Sequence, residues 1–411
     1  MLLVPLASIR EGMVLAQPVF HPSSSDLVLL NTGYVLDQEM ITRLADFRLS
    51  HVWVEFPGLE EIGREANERI NRGHMALYHA LQGSVDKLER RVAVKVNLHQ
   101  YKKAVRHMLT EIVADPDHEV ITHQLATCCP LLSGHLANCC YLSLLIGAHM
   151  SGYLRAERST LPAHVAENTG QLGLGALLHD IGKLPMPDEL RSRCILDPEG
   201  EWREYRLHVI AGYDEVREHL PVVAANVVLN HHQRFDGSGF PKRESRDKAR
   251  PPAPLKGRNI HIFSRIVSVV DAFDHFLCPR GGMVPTIIAI HQLRSEQVRG
   301  WFDPVVVEAL LRLVPPFMVG STVTLSDGTE AVVVGNHPEA PCRPLVKLLS
   351  GPICDRETRV KGRLLDLRMC RNLCVAGVDG YDVRPYLFSG ELEPSAQDED
   401  AVACMSTGGV A

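Results

Sequence analysis

From Leu172 to Lys183 the chain reads LGLGALLHDIGK, an apolar run at helical spacing that closes on His179, Asp180 and Lys183. A helix that is apolar all round belongs in a core, and an unpartnered carboxylate buried there would cost several kcal/mol. His179 and Asp180 must therefore pair with other side chains or hold a metal. Neighbours on an α-helix differ by about 100°, so His179 can ligate one metal while Asp180 bridges it to a second.

Working outward, other apolar segments carry the same signature. Upstream, His135 to Asn138 opens an apolar helix. Downstream come His208, preceded by Glu204 to Leu207, and then His231 and His232 followed by Gln233 to Pro241. Ile266 to Val270 leads into Asp271 and Asp274. Imidazoles and carboxylates at the starts or insides of apolar helices are metal-site composition, and without thiolate they suit iron or manganese better than structural zinc. His149, His164, His219, His261 and His275 are read as surface or loop residues without a role.

The organisation follows from texture. Residues 1–60 alternate short apolar runs such as Val52 to Phe56 with turn clusters and form a β-rich accessory module. Residues 61–114 read as a helical connector, with Tyr101, Val105, Met108 and Ile112 on one face. Residues 115–314 form a mainly α domain of about seven helices, interrupted by an exposed basic loop over Lys242 to Arg258, where Pro251, Pro252 and Pro254 forbid regular helix. Residues 315–390 return to β alternation, with a hairpin signal at Asp327 and Gly328. The acidic stretch 391–411 reads as a disordered tail.

Composition sets the bounds. The chain has 411 residues, 45% hydrophobic and 22% charged, so it folds, and its length allows one large domain or two to three ordinary ones. Twenty histidines accompany a net charge of -6, which gives no general attraction for a DNA or RNA polymer. The 11 cysteines show no CxxC spacing and read as reduced. The first residues lack a signal peptide, and no run of about 18 apolar residues occurs, so the expectation is a cytoplasmic protein with no membrane contact.

With those residues in view, the segment from about Leu125 to Val314 resembles an HD-GYP domain of the HD phosphohydrolase superfamily. His179-Asp180-Ile181-Gly182-Lys183 matches the HDxGK element, and His231 to Pro241 matches HHExxDGxGYP. The resemblance implies a bacterial second-messenger phosphodiesterase that hydrolyses cyclic di-GMP to pGpG or GMP at a two-metal centre in a helical bundle. Metal ligands would be His135, His179, Asp180, His208, His231, His232 and Asp271. Asp180 and Lys183 would be catalytic, Lys183 clamping a substrate phosphate, and Asp236, Gly237, Gly239 and Arg280 would join Lys183 in binding substrate. Iron is the first choice of metal and manganese the second. A GGDEF-domain protein is the implied protein partner, and a homodimer is compatible with the family.

Departures from the motif are specific. Gln233 stands where the family has glutamate, which removes a charge and any anchoring role. Phe240 stands for tyrosine and lacks the hydroxyl. Leu131 replaces a glutamate that supports a third metal in some members, so two metals are expected. Gln233, Phe240 and the segment His275 to Arg280, which departs from the family pattern, motivate an alternative: a catalytically weak or inactive effector that binds cyclic di-GMP or a diguanylate cyclase.

Overall fold

A computed structural model describes residues 1–21, 24–46, 49, 51–60, 62, 70, 73–81, 98–115, 132–191, 204–242, 253–279, 282–351, 353 and 358–389. Arg280, Leu131, most of the basic loop and the acidic tail lie outside the described residues.

The helical body is mainly α. Between residues 115 and 314, seven helices among the described residues have eight residues or more. They are α3 (Leu132–His149), α6 (Gly170–Leu178), α8 (His208–Val216), α9 (Val222–Asn230), α10 (Ile262–Leu277), α11 (Thr286–Leu293) and α12 (Pro304–Leu313). Three shorter helices are α4 (Ser151–Glu157), α5 (Ala163–Ala166) and α7 (Asp188–Arg191). Helix α3 buries 15 of its 18 residues, so it runs through the core rather than along its surface. Helix α10 packs against it, and α6 packs against both α3 and α9.

The apolar stripe of residues 98–114 also enters this core. As helix α2 (Leu98–Ala114) it buries Tyr101, Val105, Met108 and Ile112 against α3 and α6, beside Leu77, Tyr78 and Leu81 from the helical residues 73–81. The segment expected to act as a connector is thus part of the packed body, because an amphipathic face needs a cover.

The two β-containing ends meet. Near the start, β1 (Leu2–Pro5) pairs antiparallel with β4 (His51–Val54), while β2 (Val19–His21) and β3 (Ser24–Leu30) pair with each other; α1 (Gln38–Asp46) lies between β3 and β4 in the chain. After the helices comes a six-stranded antiparallel sheet of order β10-β9-β5-β6-β7-β8. Its hairpin joins β5 (Thr322–Leu325) to β6 (Glu330–Gly335) through Gly328 at φ 83°. The remaining strands are β7 (Leu345–Leu349), β8 (Val360–Asp366), β9 (Val375–Val378) and β10 (Tyr381–Asp382).

Leu2, Leu15, Trp53 and Val54 from the first module share one apolar core with Met318, Val332, Leu349 and Ile353. The Leu3 amide donates to the Gly320 carbonyl at 2.8 Å. Modules that the sequence places at opposite ends therefore form a single unit. Helix α11 reaches this unit through Ile287, which packs with Phe317 and Val323. Cys278, read as reduced, is disulfide-bonded. No helix among the described residues is long and apolar enough to cross a membrane.

Candidate metal centre

Helix ends deliver most of the polar groups. Helix α6 stops at Leu178, with His179 as its cap; Asp180 leaves helical geometry at φ -103° and ψ 13°, and Ile181–Lys183 form a 3-10 turn. His179 and Asp180 thus sit where the helix ends, not on the continuous helix that the sequence suggested. His208 opens α8, His231 caps α9 and His232 follows it, His135 lies in the first turn of α3, and Asp271 sits inside α10.

Three imidazoles share one local device. The Nδ1–H of His179, His208 and His231 donates to the carbonyl three residues earlier, on Ala176 (2.8 Å), Tyr205 (2.6 Å) and Val228 (2.9 Å). A carbonyl can only accept, so each ring is held as the Nδ1–H tautomer when neutral and turns the lone pair of Nε2 inward.

Two groups of inward atoms result, each with all donor atoms within 4.8 Å of one another. One is His135, Cys139, His179 and Asp271; the other is Asp180, His208, His231 and His232. Asp180 faces both. Its Oδ2 lies 3.6 Å from Nε2 of His135 and of His179, and its Oδ1 lies 3.2 Å from Nε2 of His208 and 3.5 Å from Nε2 of His231. The seven ligands named from sequence fall within these two groups.

The donor set fits metal ions. Burial lowers the pKa of His231 to about 4, lowers that of His208, and holds that of His232 well below the ordinary value, so these rings are neutral at neutral pH. Nε2 of His208 and Nε2 of His231 then stand 3.4 Å apart as facing lone pairs, with Asp180 Oδ1 beside both. Asp180 Oδ1 and both His232 nitrogens are buried without a hydrogen-bond partner. Buried acceptors converging without donors call for a cation. In the first group burial opposes a charge on His135, yet Cys139 and the carboxylates of Asp180, Asp271 and Asp274 raise its pKa well above the ordinary value. Burial likewise pushes the Cys139 thiol up to about 12.

Lys183, expected on a substrate phosphate, is 1% exposed and ion-paired with Asp180 Oδ2, its ammonium 5.0 Å above the Tyr205 ring. The 3-10 turn folds it back onto the aspartate. Burial opposes ionisation of Asp180, but Lys183, His179 and the contacts from His135 and His208 together outweigh it and hold the carboxyl well below the usual range.

The residues of the second motif build the adjoining loop. Asp236 is exposed and its Oδ1 accepts from the Ser238 amide at 2.7 Å. Gly237 has φ 88°, and a Cβ on Gly239 would lie 2.2 Å from the Arg234 nitrogen and 2.5 Å from the His232 oxygen. In this structure Asp236, Gly237 and Gly239 therefore shape the loop. Phe240 stacks on His232 at 4.7 Å. Gln233 keeps an anchor that the sequence reading denied it: its Nε2 donates to the Pro241 carbonyl at 2.7 Å, a bond an ionised glutamate cannot make.

Several neighbours escaped the sequence. Asp274 Oδ2 accepts from His135 Nδ1 at 2.7 Å, Asn138 Nδ2 donates to Asp274 Oδ1 at 2.8 Å, and His275 Nδ1 lies 3.0 Å from Asp271 Oδ1. Helical spacing from His135 and from Asp271 was the available signal for all three.

Comparison with known proteins adds the following. Residues 134–275 match the HD domain family, and residues 322–379 match the KOW domain associated with the HD domain. A cyclic di-GMP phosphodiesterase of Pseudomonas aeruginosa is 29% identical over 43% of this chain and 41% of its own length. A cyclic di-GMP phosphodiesterase of Thermotoga maritima is 33% identical over 40% of this chain and 42% of its own. A 3'3'-cGAMP-specific phosphodiesterase of Vibrio cholerae is 31% identical over 40% of this chain and 31% of its own. The chain thus spans about two fifths or less of these relatives. An HDG"Y"P protein of Bdellovibrio bacteriovorus superposes with a TM-score of 0.43 at 17% identity, covering 75% of this chain and 97% of that one.

Proposed function

Taking as premise that the helical body carries an HD domain, we propose that this protein is a metal-dependent phosphodiesterase that hydrolyses cyclic di-GMP to pGpG or GMP, in a cytoplasmic setting. The observation that carries the reading is Asp180, with one carboxylate oxygen on each of two imidazole-rich groups. His135, His179 and Asp271 would hold one divalent ion, and His208, His231 and His232 the other, with Asp180 shared. Iron is the first candidate and manganese the second, since imidazole and carboxylate donors suit both. Such ions acidify water for attack and neutralise charge on the phosphoryl oxygens of an in-line displacement.

The chain's own residues do the rest. Backbone carbonyls of Ala176, Tyr205 and Val228 hold three rings in the ligating tautomer. Lys183 helps to keep Asp180 ionised and leaves a cation inside the site, next to where a phosphodiester would meet the metals. Phe240 and Gln233 hold His232 and the following loop in place.

The test is metal content together with turnover of cyclic di-GMP and, separately, of 3'3'-cGAMP. Two metals per chain and hydrolysis of cyclic di-GMP are expected, both lost in Asp180→Ala. Unchanged turnover in that variant would refute the mechanism. Tight binding of cyclic di-GMP without product, in protein carrying two metals, would establish the effector reading, which Phe240 and the burial of Lys183 on Asp180 favour.

A further inference from the structure

The polar groups behind His135 continue well past the site. His135 Nδ1 contacts Asp274 Oδ2 at 2.7 Å, Asn138 Nδ2 donates to Asp274 Oδ1 at 2.8 Å, and Asn138 Oδ1 lies 2.8 Å from His74 Nε2. All four residues are buried: His74 is 4% exposed, Asn138 0%, Asp274 2% and His135 8%.

Their chemistry leaves one arrangement of protons. An ionised Asp274 only accepts, so the amide nitrogen of Asn138 must face it and the amide oxygen must face His74. The oxygen in turn requires a hydrogen on Nε2 of His74. At the other end, Asp274 Oδ2 accepts Nδ1–H of His135, which turns Nε2 of that ring toward His179 Nε2 and Asp271 Oδ1, each 3.2 Å away. His74 also meets the Tyr141 ring edge to face at 5.9 Å, which fixes its plane from the side. Burial lowers its pKa to about 4, consistent with a neutral donor.

We infer that His74 and Asn138 are positioning residues of the first metal group, acting through Asp274 on the orientation and tautomer of His135. The inference rests on the two-metal reading. His74 belongs to the helical residues 73–81, ahead of the segment that matches the HD domain. The geometry of one metal site, and not the other, is thereby tied to chain that precedes the domain holding both. Removing an outer partner of a ligating histidine typically costs 10–100-fold in metal affinity.

The experiment is a manganese titration of the full chain, comparing wild type with His74→Leu, which fills the space without a donor, and His74→Gln, which offers an amide N–H. Two equivalents are expected in wild type. In His74→Leu one equivalent should weaken by about 10-fold or more while the other keeps its affinity, and His74→Gln should recover most of the loss. Equal weakening of both equivalents in step with a lower melting temperature would mean that His74 is merely structural and overturn the inference; so would an unchanged titration. Fewer than two equivalents in wild type would instead overturn the two-metal reading. Two equivalents without hydrolysis of cyclic di-GMP would overturn the proposed activity and leave the inference standing.

Discussion

Gly182→Ala puts a single methyl group where the site has no room. Gly182 lies in the 3-10 turn that carries Asp180 and Lys183, and this turn sits directly on the backbone of α8, the helix that begins with His208. A Cβ on Gly182 would lie 2.0 Å from the His208 carbonyl oxygen and 2.6 Å from the Gly212 nitrogen. Both obstacles are backbone, so neither can swing aside. To reach even about 3.0 Å, the turn and the helix must part by about 1 Å.

Asp180 Oδ1 and His208 Nε2 ride on those two elements, 3.2 Å apart, and parting would take them to about 4.2 Å. An ion bound at about 2.0–2.2 Å to each can span that distance only with the two ligands opposite one another. Overpacking of this kind costs about 1–3 kcal/mol of stability, and a ligand misplaced by 1 Å can cost about 100-fold in rate. If the centre takes up two manganese ions, as proposed, the variant should stay folded, retain one equivalent fewer than wild type after dialysis and turn over cyclic di-GMP about 100-fold more slowly. Metal content, a urea midpoint and initial rates measured on the same preparation decide the matter. Two retained metals with turnover within a factor of two of wild type would refute the claim that backbone contact at Gly182 sets the Asp180 to His208 distance.

Two further predictions follow from the polar groups around the site. Burial lowers the pKa of His74 to about 4, below an unfolded value of about 6.5. As pH falls through that window, the unfolded chain takes up a proton that the folded chain refuses, so the stabilisation present above about pH 6.5 is progressively lost, by about 2 kcal/mol at pH 5. The other buried histidines titrate in both proteins, so between about pH 7.5 and 5 the chelator-treated wild type should lose about 2 kcal/mol more stability, read from urea midpoints, than His74→Gln; equal losses would count against it. Restoring the family residue with Gln233→Glu should destabilise rather than activate, because a carboxylate would face the Pro241 carbonyl without a donor, at about 1–3 kcal/mol. A raised melting temperature or faster turnover would contradict the role assigned to the amide.

The residues that gather at the candidate centre were legible because their types are rare inside apolar helices: His135, His179, Asp180, His208, His231, His232 and Asp271 drew attention by violating the pattern around them. Their geometry was not legible. Helical periodicity carries no mark of the break after Leu178, which takes Asp180 off the helix axis and folds Lys183 back onto it. Nor does a motif comparison reveal that Gln233 has its own acceptor, since Pro241 is close only once the loop has turned. His74 lies 64 residues from Asn138, a separation at which single-sequence spacing says nothing. The stripe on residues 98–114 was visible, but what would cover it was not.

The shared core of the two β-containing ends has a consequence for biosynthesis. Leu2, Leu15 and Trp53 leave the ribosome before Met318, Val332, Leu349 and Ile353, which close the same core and come roughly 250 residues or more later. At about 5–20 residues per second, the first module waits on the order of ten to fifty seconds for the partners that complete it. During that interval the nascent chain presents unfinished apolar surface, while the helical body between can begin to assemble. Residues made before the helical body are thus among the last to reach their native packing.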